Sequence, residues 1–97
     1  MRLKVNQERH DSGVAFWANN LASNGWSIVY ADLPGKAKPP MIGMYIPDVY
    51  GKHGSQEVVI EVETADTIDA EHTKFQLAAF RNWAAGSSLR RFEVKLV

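Results

Sequence analysis

The run from Gln56 to Thr64 constrains the fold more than any other segment of the chain. Its side chains alternate with a period of two, which predicts a β-strand with two distinct faces. One face carries three acidic side chains and a valine, whereas the other is wholly apolar: Glu57, Val59, Glu61 and Glu63 against Val58, Ile60 and Val62. A strand of this kind needs neighbouring strands and a helical cover, so we expect an α/β (α+β) domain.

Size and composition predict a single domain. Ninety-seven residues, 45% of them apolar, can bury one core, so we expect residues 1–97 to form one unit. The absence of cysteine excludes a disulfide framework and a zinc ribbon, and it fits a reducing cytoplasm. No apolar run approaches the ~20 residues that span a bilayer, and no signal-peptide pattern is found. We therefore expect a soluble cytoplasmic protein without a membrane partner.

The charge balance limits the choice of partners. Eleven basic side chains match eleven acidic ones, so the chain lacks the basic excess typical of nonspecific DNA binding. Two basic pairs are candidates for a local stripe, Lys36 and Lys38 in one loop, and Arg90 and Arg91 before the last strand. Solvated surface charge is the alternative explanation for both pairs.

The first third of the chain predicts a helix over Gln7–Ser23. One stripe at helical spacing runs along this segment and consists of His10, Val14, Trp17 and Leu21. Asn24-Gly25 ends the helix, because glycine readily takes the left-handed conformation found there.

Two short strands are expected next, at Trp26–Tyr30 and at Met41–Ile46, the second closed by Pro47-Asp48. Between them lies a loop, residues 33–40, because three prolines deny that segment backbone hydrogen bonds. Residues 50–55 contain two glycines and are expected to form a turn before the strand at Gln56–Thr64.

The last third predicts a helix and a strand. Asp66 or Thr67 can cap a helix over Ile68–Ala85, and the segment after it alternates, with Phe92, Val94 and Leu96 on one face and Arg91, Glu93 and Lys95 on the other. The order is therefore αβββαβ. Short connections make the first three strands a meander, and the crossover helix makes the fourth strand parallel to the third. We expect a mixed four-stranded sheet with both helices packed on it.

The acidic residues of the third predicted strand suggest a cation site. Glu61 and Glu63 share a face at the end of an apolar strand, where their repulsion and desolvation are costly unless a cation lies between them. The predicted hairpin brings Asp48 alongside. Such hard oxygen ligands favour Mg²⁺, Mn²⁺ or Ca²⁺ over zinc. A solvated acidic edge is the alternative explanation.

Pro47-Asp48, twelve intervening residues and Glu61-Val62-Glu63, set in an αβββαβ order, resemble the PD-(D/E)xK nuclease superfamily of restriction enzymes, Holliday-junction resolvases and RecB-like exonucleases. The resemblance implies a restriction-endonuclease-like core and an Mg²⁺ or Mn²⁺ cofactor. It also implies that Asp48, Glu61 and the carbonyl of Val62 are the metal ligands. The family's catalytic lysine falls on Glu63. Some restriction enzymes of the superfamily carry glutamate at this position, and inactive members also lack the lysine.

Further site residues are expected around these acids. Gln76 and Phe80 resemble the RecB-type Q-x-x-x-Y motif, which implies a glutamine near the site, and His72 lies one turn earlier on the same side. A buried amide satisfied by backbone is the alternative for Gln76. Related families place a glutamate on the first helix near the metal, where this chain has His10, and a structural histidine is the alternative. Lys36 and Lys38, with His10 and His72, are the expected nucleic-acid contacts.

The function expected from these residues is metal-dependent hydrolysis of nucleic-acid phosphodiesters, with DNA as the first candidate partner and Glu63 as general base or ligand to a second metal. The alternative is a nuclease-fold module that binds nucleic acid or protein and has lost activity. A structural protein with an acidic surface strand is the third alternative. A homodimer is also expected if both strands of a duplex are cut.

Overall fold

The chain forms a mixed α/β sheet structure, described by a computed structural model over residues 2–97. The elements in chain order are α1 (Lys4–Ser23), β1 (Ile28–Ala31), β2 (Val49–His53), β3 (Gln56–Glu63), α2 (Glu71–Ala85) and β4 (Arg90–Leu96). The predicted αβββαβ order is confirmed.

The four strands form one sheet in the order β1-β2-β3-β4. β1 pairs with β2 and β2 with β3 in antiparallel register, whereas β3 and β4 are parallel. The predicted mixed sheet, with a meander followed by a parallel strand, is therefore confirmed. β3 lies in the interior of the sheet, where it is paired on both edges.

Each face of the sheet carries its own apolar core. On the α1 face, Val14 and Leu21 of the helix pack against the apolar side of the sheet, Val49, Val58, Ile60 and Val62. On the opposite face, Phe80 of α2 is fully buried against Tyr50, Val59 and Phe92. β3 is therefore covered on both sides, and any polar side chain at its carboxyl end is withdrawn from bulk water.

The prediction of a second strand at Met41–Ile46 is wrong. Ile42 and Tyr45 form only an isolated bridge around a two-residue turn in which Gly43 has a φ of +60°. Pro40 precedes this segment and Pro47 follows it, and proline cannot donate the hydrogen bonds that would extend the ladder. The true second strand, Val49–His53, occupies most of the predicted turn at residues 50–55.

Gly51 explains why a turn was wrongly predicted at residues 50–55. This glycine allows close packing between α1 and β2 and does not form a turn. A Cβ added to Gly51 would lie 2.9 Å from Leu21 Cδ1 and 3.1 Å from Val58 Cγ1. Both contacts are tighter than most real Cβ contacts, so a side chain at position 51 would force Leu21 or Val58 to shift.

We expect Gly51→Ala to lower the free energy of unfolding by ~1–3 kcal/mol, the usual cost of overpacking a core. Urea unfolding measures the change. Lys52→Ala at the next, exposed position of β2 is the matched control and should stay within ~0.5 kcal/mol of the parent. Equal unfolding midpoints for Gly51→Ala and the parent would contradict this account of the packing.

The boundaries of both helices differ from expectation. α1 begins three residues earlier than predicted, at Lys4, and α2 begins three residues later than predicted, at Glu71. The predicted caps of α2, Asp66 and Thr67, do not cap it, because the N-cap is Ala70 and no side chain bonds there. No helix of the described part of the chain combines the length and apolar character needed to cross a membrane.

Candidate active site

A polar cavity of about 240 Å³ lies where the carboxyl end of β3, the start of β2 and the first turns of α2 meet. We call it the acidic cavity. Its lining includes six of the residues expected from the sequence: His10, Asp48, Glu61, Glu63, His72 and Gln76. Segments from both ends of the chain therefore meet at one place.

The register of β2 and β3 places Asp48 beside Glu61. Val49 pairs with Ile60, so the next position along the antiparallel pair sets Asp48 opposite Glu61. The Asp48 backbone N–H donates to Glu61 Oε1 at 2.7 Å, and the Val62 N–H donates to Asp48 Oδ2 at 2.8 Å. The predicted convergence of Asp48 and Glu61 is confirmed, although Asp48 precedes a strand and does not follow one.

The three carboxylates have the spacing of a hard-cation site. Asp48, Glu61 and Glu63 each offer an oxygen, and these oxygens lie within 4.8 Å of one another. Opposite ligands are roughly 4.2 Å apart around Mg²⁺ and about 4.6–5.2 Å apart around Ca²⁺. The set is all-oxygen, so its size and chemistry both fit a divalent cation of this class.

Burial makes this site electrostatically costly without a cation. Glu61 is 3% exposed. Burial raises the pKa of Glu61 to about 9, and the charge of Asp48 adds to this shift, whereas the hydrogen bond from the Asp48 backbone opposes it. Without a cation, burial and the charge of Asp48 therefore favour the protonated form of Glu61.

His10 reaches the cavity from α1 and lies between two carboxylates. Its Nε2 is 3.1 Å from Asp48 Oδ1 and its Nδ1 is 3.0 Å from Asp11 Oδ1. Burial lowers the pKa of His10, but the hydrogen bond to Asp48 and the charge of that carboxylate outweigh burial and raise it overall. His10 thus orients Asp48, and its contact with nucleic acid stays a prediction.

Glu63 is anchored by the segment after β3 and by the N-terminal segment. Thr67 Oγ1 donates to Glu63 Oε1 at 2.8 Å, and Arg2 Nη2 lies 3.5 Å from the same oxygen. Arg2 Nη2 also donates to the Val62 carbonyl at 3.3 Å. The carbonyl predicted as a metal ligand therefore faces a guanidinium.

The other expected residues divide into two groups. Gln76 and His72 line the acidic cavity, and Gln76 stays half-exposed and is not a fully buried amide. Lys38 does not line the acidic cavity, but its Nζ is 2.7 Å from the carboxylate of Asp32, a residue that does. Lys36 borders a different cavity, between α1 and β1.

Two charged lining residues, Asp32 and Arg2, were missed by the sequence reasoning. Asp32 directly follows β1 and donates its backbone N–H to the Asp48 carbonyl at 2.9 Å. An acid just after a predicted strand, beside Asp48 in a meander, was a usable signal. Arg2 carried no such signal, because Arg2 and Glu63 are 61 positions apart in the sequence.

In comparisons with known proteins, no protein-family model, no curated protein and no solved structure matched the chain. Function is therefore argued from the acidic cavity itself.

Proposed function

We propose that this chain is a divalent-cation-dependent nuclease that hydrolyses phosphodiester bonds of nucleic acid, with the acidic cavity as its active site. The observation that carries the proposal is the convergence of Asp48, Glu61 and Glu63 in one buried cavity at cation-ligand spacing. The proposal assigns the chain to the PD-(D/E)xK class, which has this arrangement of acids on the second and third core strands.

The residues have distinct proposed roles. Asp48 and Glu61 would hold the cation, whereas the carbonyl of Val62 accepts a hydrogen bond from Arg2 and is not assigned to the cation. When bound, Mg²⁺ or Mn²⁺ supplies Lewis-acid chemistry, which lowers the pKa of water and offsets negative charge at phosphorus. Glu63 accepts the proton of the attacking water. Gln76 contacts the nucleic acid or the water from α2.

A second function has one observation in its favour. Within residues 2–97, every deeply buried side-chain nitrogen and oxygen already has a hydrogen-bond partner. The acidic cavity is thus self-consistent without a cation, as expected for a nuclease-fold module that binds nucleic acid or protein without cutting it. Cleavage of nucleic acid in the presence of a divalent cation separates these two functions, because only the nuclease cuts it.

We expect Mn²⁺ to bind the parent protein with one-site stoichiometry and Asp48→Asn to abolish that binding, because the amide loses the charge but keeps the shape. Isothermal titration calorimetry measures both. Asp69→Asn removes the same charge from an exposed position outside the cavity and should bind Mn²⁺ like the parent. Cleavage of plasmid, single-stranded DNA and structured RNA in Mn²⁺ completes the test. Heats that do not differ between Asp48→Asn and the parent would refute the site.

A further inference from the structure

Arg2 places a permanent positive charge inside the acidic cavity. Its Nε donates to Thr64 Oγ1 at 3.3 Å, while Nη2 contacts the Val62 carbonyl and Glu63 Oε1. The Arg2 side chain is 19% exposed and lines the cavity. A guanidinium keeps its charge at every pH of interest, so this cation is always present.

The segment carrying Arg2 is tied to the loop after β3. The Leu3 backbone N–H donates to Asp66 Oδ2 at 3.0 Å, and the Thr64 hydroxyl donates to the same Asp66 side chain. Arg2 and Leu3 therefore both bond to the short loop that follows Glu63. This anchoring explains why Asp66 does not cap α2: its carboxylate is used to hold the N-terminal segment.

The position of the guanidinium is informative because of Glu63. Glu63 carries a carboxylate at the position where the proposed class has a lysine that positions and activates the attacking water. Nη2 of Arg2 lies 3.5 Å from Glu63 Oε1. Arg2 thus supplies a cation beside Glu63 in the acidic cavity.

We infer that Arg2 is the phosphate-binding cation of this active site and replaces the lysine that Glu63 displaces. The inference rests on the proposed nuclease function. Of the five N–H donors of a guanidinium, the protein contacts engage those on Nε and Nη2, so donors remain for the non-bridging oxygens of a phosphodiester. Lys36 is excluded from this role, since it borders another cavity.

The reaction balances with these groups. A water oxygen attacks phosphorus while Glu63 takes one water proton, the bond from phosphorus to the leaving oxygen breaks, and that oxygen is protonated by solvent. Arg2 donates hydrogen bonds to the non-bridging oxygens, where negative charge increases in the transition state. Donors preorganised in this way contribute roughly 10²–10³ in rate.

The test compares Arg2→Ala and Arg2→Lys with the parent, using Mn²⁺-dependent cleavage of a fluorescein-labelled single-stranded oligonucleotide. We expect Arg2→Ala to lower kcat at least tenfold and Arg2→Lys, which keeps the positive charge, to keep part of the rate. A merely structural role of Arg2 predicts unchanged binding of the oligonucleotide. Arg9→Ala, on the exposed side of α1, is the matched control and should cleave like the parent.

Binding provides a readout that does not depend on turnover. In Ca²⁺, anisotropy of the same oligonucleotide should show weaker binding by Arg2→Ala than by the parent, while Mn²⁺ calorimetry shows unchanged or tighter cation binding. Faster cleavage by Arg2→Ala, with tighter Mn²⁺ binding, would overturn the inference and make Arg2 a competitor of the cation for Val62. Equal cleavage by Arg2→Ala and the parent also overturns it. A parent that neither binds Mn²⁺ nor cleaves refutes the proposed function itself.

Discussion

Glu61→Gln is expected to raise the melting temperature of the metal-free protein at pH 7 and to remove all stabilisation by Mn²⁺. Glu61 is almost fully buried beside Asp48, and its pKa is raised to about 9. Glutamine has nearly the same shape, can accept the Asp48 backbone N–H, and never ionises. The substitution therefore removes an electrostatic cost and a cation ligand in a single change.

The sign of the effect follows from the pKa in each state. Below a pH of about 4.5, Glu61 is protonated in both the folded and the unfolded chain and costs nothing. Between pH 4.5 and 9 the unfolded chain releases this proton and the folded chain retains it, so parent stability falls as pH rises. The slope is about 1.4 kcal/mol per pH unit, which gives up to about 3 kcal/mol by pH 7.

The measurement is thermal unfolding of the parent and Glu61→Gln at pH 5, 6, 7 and 8, with and without Mn²⁺. For a domain of this size about 1 kcal/mol corresponds to 4–8 °C, so the melting temperature of the variant should exceed that of the parent by up to roughly 12–24 °C at pH 7. The difference should widen from pH 5 to pH 8. The pKa of His10 is also raised, but His10 titrates in both proteins. Its contribution to the difference in melting temperature therefore largely cancels. A variant less stable than the parent at pH 7 would disprove the assignment of a strained, protonated Glu61.

The sheet topology was predictable because it follows from local patterns. The alternation in β3 and β4, and a long helix between them, determine a parallel pair whatever the details of the loops. β2 was not predictable in the same way, because Gly51 packs closely against Leu21, which lies 30 positions away in sequence. Local propensity favoured a turn there, and tertiary packing overrode it.

The convergence of the acids in the candidate site was predictable from the sequence, as the sheet topology was. Asp48 and Glu61 were expected to converge, but the register that sets them opposite each other follows from the observed pairing of β2 with β3. The N-terminal contribution was not predictable, since nothing near Arg2 in sequence signals a contact with Glu63. When a buried site is built from distant segments, only the folded structure shows which residues meet there.

Glu63→Gln is expected to reduce Mn²⁺-dependent cleavage more than tenfold while the fold remains intact. Loss of a general base typically costs 10²–10⁴ in rate. The glutamine also loses the charge that holds the Arg2 guanidinium, whereas its oxygen can still accept the Thr67 hydroxyl. Because Asp48 and Glu61 are unchanged, calorimetry should still detect Mn²⁺ binding, so the loss appears in turnover and not in cation affinity.

Glu57→Gln is the matched control for this experiment. Glu57 lies on the same face of β3 as Glu63, but at the opposite end, where it bonds to Tyr50 and Arg90 outside the acidic cavity. The Glu57→Gln variant should therefore cleave at a rate within about threefold of the parent's rate. Glu63→Lys returns the residue usual in the proposed class and is the sharper variant. If that variant and the parent both fail to nick supercoiled plasmid, single-stranded DNA and structured RNA in Mn²⁺, the chain is a binding module and not an enzyme, because neither the observed acid nor the expected lysine at position 63 supports hydrolysis.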